Sequence, residues 1–269
     1  MHQDIVTKGS ISLIISVGFV LASGLSHAGN ASSYSLKAVW NHTGGAQDLK
    51  SWALTDLTHL KKISVREKDP VTGAMSNWQG ALLSDVVDTA MSSLPPDSRA
   101  QIDLIILKND TASQAMIPRA FITKYPVILA LSRDQKELGS LGPVYSVVPW
   151  TSRPKSQQEG LPLESYFLSG VKTVELTNYR DHYGPLFLKR RTDPAAMRGE
   201  KLFVQNCAVC HAPAENFIKS RLPASDAHPA LKGAPRLSDR DRRSLTSYFE
   251  AYRAENGLNK DTHQSASIF

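Results

Sequence analysis

Only two cysteines occur in the 269 residues, and both lie in the run Cys207-Ala208-Val209-Cys210-His211. No thiol is left for a disulfide framework or a cysteine-held metal elsewhere. On a helical turn, two thiols separated by two residues reach one porphyrin edge and can add across its two vinyl groups. The next residue, His211, then offers its imidazole to the iron. A Cys-x-x-Cys-His of this kind is read as the attachment site of one c-type haem, with Cys207 and Cys210 as the thioether residues and His211 as the proximal ligand. Zinc would need further ligands at finger-like spacing. A thioredoxin-like dithiol would need a βαβ context, whereas this pair follows a helical pattern.

The N-terminus agrees with an exported haem protein. Lys8 supplies a positive start, weakened by Asp4, and an apolar stretch follows over residues 11–25. Ser26-His27-Ala28 then offers small residues where a signal peptidase reads, so residues 1–28 are expected to be a signal peptide cleaved after Ala28. An uncleaved anchor is the rival reading, but the stretch is short against the roughly 20 residues a span needs. The expected location is the periplasm, with no membrane span left after cleavage. The net charge of +6 and pI near 9.3 suit an acidic partner or anionic lipid. No stripe of Lys and Arg interleaved with aromatics appears, which excludes nucleic acid as the expected partner.

Residues 29–176 read as an α+β domain. Val-, Ile- and Leu-rich runs bounded by Gly, Pro, Asn and Asp predict strands over 34–40, 102–107, 127–131, 144–148 and 171–176. Residues 81–91 place apolar side chains at helical spacing. These elements do not alternate regularly, which favours α+β over a doubly wound sheet. Residues 177–193 read as a linker holding Gly184-Pro185 and ending in Lys189-Arg190-Arg191. That triplet is either a solvated stretch or a docking patch for an acidic redox partner. Residues 194–256 read as a small all-α domain and 257–269 as a flexible tail. Asp193 is placed to cap a helix whose first residue is Pro194. Ser238 is placed to cap a helix over 239–253, where Leu245, Tyr248, Phe249 and Tyr252 share one face.

Residues 194–256 resemble a class I cytochrome c domain, on Gly199 and Phe203 before the motif, the Cys-x-x-Cys-His itself, and the Tyr248-Phe249 pair in the closing helix. The resemblance implies that the first and last helices cross, with Gly199 and Phe203 packed against Tyr248 or Tyr252. It also implies a methionine as second iron ligand, and the chain departs from that, having no Met after Met197. His228 sits about where that ligand is expected and is the tentative distal ligand. Bis-histidine iron would have a lower potential than Met/His iron. Lys219, Lys232, His263 or an open site are the alternatives.

Residues 34–178 resemble, more faintly, the molybdopterin-binding domain of the sulfite oxidase family. The likeness rests on Trp78-x-Gly80-x-Leu82-Leu83-x-x-Val86, Asn109-Asp110, Ile117-Pro118 and Ile128-Leu129-Ala130. It continues through Gly142-Pro143, Val148-Pro149 and Val171-Lys172-x-Val174-Glu175-Leu176. In that family a cysteine upstream of Trp-x-Gly binds molybdenum, and residues 61–77 hold none. A serine such as Ser64 or Ser76 could bind metal as an alkoxide, though nothing in the sequence argues for it. Asp110 and Arg119 fall near the family's cofactor cleft, or are simply a turn and a helix start. The four tryptophans are expected in the core, and His42, His59 and His182 show no metal-ligand spacing.

Three functions follow. The first is an exported electron carrier with one covalent haem c, no catalytic residue, no molybdenum cofactor, and a first domain that docks it to a periplasmic redox protein. The second is a molybdenum-cofactor oxidoreductase feeding its own haem. The third is a haem-based sensor or binding protein.

Overall fold

The computed structural model describes residues 34–208, 218 and 237–258. Its chain begins with a hairpin of β1 (Ser35–His42) and β2 (Gly45–Ala53), followed by α1 (Leu54–His59). A second hairpin, β3 (Lys62–Lys68) and β4 (Met75–Leu82), runs directly into α2 (Leu83–Met91). After α3 (Pro96–Gln101) come β5 (Leu104–Asn109), β6 (Gln114–Pro118), α4 (Arg119–Lys124), β7 (Ile128–Arg133), β8 (Tyr145–Val147) and β9 (Val171–Thr177). The strands form two sheets, one ordered β2-β1-β9-β5-β6 and the other β3-β4-β7-β8. Among the described residues only β1 and β9 pair in parallel, Lys37 opposite Thr173 through Trp40 opposite Leu176, so the first and last strands of this body lie side by side. The architecture is α+β, with a helical region at the C-terminal side.

The Trp-x-Gly stretch has a packing reason. Trp78 is fully buried, and its indole N–H donates to the Glu67 carbonyl at 3.1 Å, which removes the cost of enclosing that group. Gly80 sits where β4 meets β7 with a shift in register. A Cβ at Gly80 would collide with the Leu129 carbonyl oxygen and lie 2.6 Å from Ala130 Cα. Only glycine lets the two backbones approach so closely. Trp52 is buried like Trp78, while Trp40 and Trp150 are half-buried against the main core.

Strand β5 shows how the two parts of the chain are joined. Successive side chains of a strand point to opposite faces. Ile105 and Leu107 enter the main core with α2, α4 and Tyr166. Leu104 and Ile106 point the other way, into a second cluster with Met116, Tyr179, Leu186, Leu188, Phe203 and Tyr248. The five-stranded sheet is therefore covered on both faces. Residues 177–193 supply part of that second cover. They carry α5 (Tyr179–Tyr183), and Leu186 and Leu188 are buried.

Helices α6 (Pro194–Asn206) and α7 (Asp239–Glu255) complete the second cluster. Their caps match the sequence expectation. Asp193 accepts from the Ala195 N–H at 2.8 Å with Pro194 as the first helical residue, and Ser238 accepts from the Asp241 N–H at 3.2 Å. The helices cross at Gly199. A Cβ there would collide with the Ser244 carbonyl oxygen and stand 2.8 Å from Tyr248 Cβ. Phe203 lies edge-on to Phe249 at 5.3 Å and 5.6 Å from Tyr248. Arg198 and Asp241 pair across the helices at 2.6 Å.

Gly199→Ala should therefore lower stability by about 1–3 kcal/mol or more through overpacking, read as a shifted urea midpoint. An unchanged midpoint would contradict the close crossing.

Candidate functional site

Cys207 closes α6. Its N–H donates to the Phe203 carbonyl at 2.8 Å, and the Ala208 N–H shares that acceptor at 3.0 Å. The side chain is half-buried and packs against the cluster containing Phe203, Leu245 and Tyr248. A thiol at the rim of an apolar cluster, on a helix fixed by the crossing, suits a flat apolar group held covalently. The Oδ1 atom of the neighbouring Asn206 is buried without a partner among the described residues. Cys210, His211 and His228 lie outside the described residues, as do Lys219, Lys232, His263 and residues 1–28.

The strand of chain leading to α6 is clamped by two carboxylates, one from each helix. Glu200, almost fully buried in α6, accepts from the Leu188 N–H and from Arg191 Nη1, both at 2.7 Å. Glu255 in α7 accepts from the Lys189 and Arg190 N–H groups at 2.7 and 2.8 Å. Tyr248 donates its buried hydroxyl to the Leu186 carbonyl at 2.6 Å. The basic triplet is thus divided. Arg191 is paired with Glu200, while the Lys189 and Arg190 side chains are exposed.

In the first body, the stretch compared with a molybdenum-binding cysteine folds as the β3–β4 hairpin. Ser64 donates its hydroxyl to Asn77 Oδ1 at 2.7 Å, and Ser76 is buried. Glu67 is fully buried, and its carboxylate accepts from the Lys68, Thr151 and Ser152 N–H groups and from both hydroxyls of Thr151 and Ser152. That saturation ties residues 151–152 onto the end of β3. Among the described residues, no group of three or more His, Cys, Asp or Glu side chains is placed to hold a metal ion. Hydroxyls engaged in this way do not fit a thiolate-type molybdenum ligand. Asp110 is an exposed turn residue 3.7 Å from Lys172, and Arg119 opens α4 with its guanidinium on the Arg99 and Ile102 carbonyls.

The fold gathers one set of polar residues that their spacing in the chain hides. Asn41, His42, Thr177, Asp181 and His182 line a small pocket of about 260 Å³. His42 stacks on Trp40 at 4.0 Å, and His182 meets Tyr183 edge-on at 4.6 Å. About 140 residues separate the two histidines, and the parallel β1–β9 pairing is what unites them.

No family model and no curated protein matches this chain. Among the described residues no helix is long and apolar enough to cross a membrane.

Burial holds His182 below the ordinary histidine value of 6.5, with Glu175 pulling it up and Lys108 pushing it down. The folded chain therefore takes up this proton less readily than the unfolded chain. The associated stability is present above pH 6.5 and is lost as pH falls through the lowered value. The melting temperature should fall between about pH 7 and about pH 5, and His182→Asn should flatten that slope. An equal slope in the variant would contradict the burial argument.

Proposed function

We propose that the chain is an exported c-type cytochrome that carries one covalent haem and transfers single electrons, with the first domain acting as a docking module. The observation that carries this reading is the sequence Cys207-Ala208-Val209-Cys210-His211, whose first residue, Cys207, is the C-cap of α6, the helix that crosses α7 at Gly199. A fixed helix end and a half-buried thiol beside an apolar cluster support a covalently held porphyrin, and the sequence adds a second cysteine and a histidine directly after it. The Gly199, Phe203 and Tyr248 contacts also support a cytochrome c-like second domain.

Cys207 and Cys210 would hold the haem by thioether bonds, His211 would bind the iron, and His228 is the candidate second ligand. When bound, the group supplies a reversible one-electron couple. The chain's own task is to hold and to shield. The Phe203 carbonyl fixes the backbone at Cys207, and the Gly199 crossing sets the angle of α6 relative to α7. The aromatic cluster keeps water from one side of the helix end. Electron transfer asks for no acid, base or nucleophile from the protein, only a fixed group and a partner able to dock. The donor set of the first body, lacking a thiol, speaks against a molybdenum enzyme feeding its own haem.

Expression in a periplasm with haem-maturation machinery tests this reading. The wild type should keep its haem through denaturing electrophoresis, and Cys207→Ser/Cys210→Ser should lose it. Haem absent from the wild type, or retained by the double variant, would overturn the proposal. If His228 is the second ligand, the ferrous wild type should resist carbon monoxide and His228→Ala should bind it. An identical response in both would remove His228 from the iron.

A further inference from the structure

The positive charge of the chain is concentrated at one end. Residues 177–258 hold 14 Lys and Arg against 9 Asp and Glu, which is +5 of the total of +6. Part of that charge is already neutralised within the fold, since Arg191 pairs with Glu200 and Arg198 with Asp241. Among the described residues, Arg180, Lys189 and Arg190 are exposed, and Arg190 follows Lys189 directly in the chain. Arg180 and Lys189 line a cleft of about 540 Å³ together with Phe187, Leu188, Tyr252 and Asn256. The Arg180 guanidinium lies 5.2 Å from the Phe187 ring centroid, so the cation is held over an aromatic face.

Two features make this cleft more than a charged surface. Its wall is fixed, because the Lys189 and Arg190 backbone N–H groups are clamped by Glu255 and the Leu188 N–H by Glu200. A partner meeting it would not have to order that segment, which lowers the entropy cost of association. Two carboxylates lie nearby with oxygens bonded within the fold: Glu255 accepts from the Lys189 and Arg190 N–H groups, and Asp181 accepts from the side chain of Asn178, the N-cap of α5, at 2.8 Å. The cleft thus combines outward cations with an apolar floor, the pairing of charge steering and buried anchor that protein interfaces use.

We propose that this cleft docks an acidic, extended segment of a partner protein. Carboxylates of the segment would meet Arg180, Lys189 and Arg190, and one aromatic or aliphatic side chain would enter over Phe187 and Tyr252. The inference rests on the electron-carrier reading only in making that partner a redox protein. The cleft itself does not depend on the haem.

The test uses the full, haem-loaded chain and a fluorescently labelled peptide, Glu-Glu-Phe-Glu-Glu, followed by anisotropy. The wild type should bind it, and raising salt from about 50 to about 200 mM should weaken binding severalfold. Arg180→Glu/Lys189→Glu should weaken it by about tenfold or more, and Arg190→Glu alone should weaken it less. Replacing the peptide's Phe by Ser should also weaken binding, and Lys50→Glu on the first body should leave it unchanged. Absence of binding to the wild type, equal binding by the double variant, or displacement of the peptide by inorganic phosphate at similar concentration would each overturn the proposal. Haem content is read separately by absorbance on every sample. Peptide binding to protein that never acquires haem would leave this inference standing and remove the electron-carrier reading instead.

Discussion

The absence of a side chain at Gly199 is the constraint on which the C-terminal part depends. Because α6 and α7 touch backbone to backbone there, Phe203 meets Tyr248 and Phe249 across the seam, and Tyr248 reaches the Leu186 carbonyl. Cys207 caps the same helix, its N–H bonded to the Phe203 carbonyl. A larger residue at position 199 would move the thiol as well as loosen the helices. Stability and the placement of the Cys207 thiol are therefore one property in this chain.

The two parts of the molecule are joined through a shared sheet rather than a loose tether. Strand β5 feeds both apolar clusters, with Ile105 and Leu107 on one face and Leu104 and Ile106 on the other. The intervening segment packs with Leu186 and Leu188 and is fixed by Glu200 and Glu255. Buried carboxylates are costly unless fully satisfied. Glu200 meets that condition with one backbone N–H and one guanidinium, and Glu67 meets it in the first body with five donors. Both are positioned to hold a loop against a regular element.

Much of this was legible in the sequence where local chemistry decides the outcome. Asp193 before Pro194 and Ser238 before Asp239 announced two helix starts, whereas the crossing at Gly199 and Phe203 came only from the resemblance of residues 194–256 to a class I cytochrome c domain. The strands over 35–42, 104–109, 128–133, 145–147 and 171–177 coincide with Val-, Ile- and Leu-rich runs. Strands β2, β3 and β4 escaped because none shows an apolar run: β2 and β3 are mostly polar and exposed, and β4 alternates exposed residues with a buried Ser76, Trp78 and Gly80. Strand β6 escaped because it is short and follows a turn. The pairing of His42 with His182 around one pocket depends on β1 lying parallel to β9, which no local pattern announces. The division of Lys189-Arg190-Arg191 into one paired and two outward cations likewise needs Glu200 and Glu255 in place.

The central claim is one covalent haem and no second metal cofactor. Iron and molybdenum content, measured together on protein matured in a periplasm with both cofactor pathways active, tests it most directly. The account predicts one iron per chain, retained after denaturation, and no molybdenum. Protein without iron, or with stoichiometric molybdenum beside the iron, would contradict it.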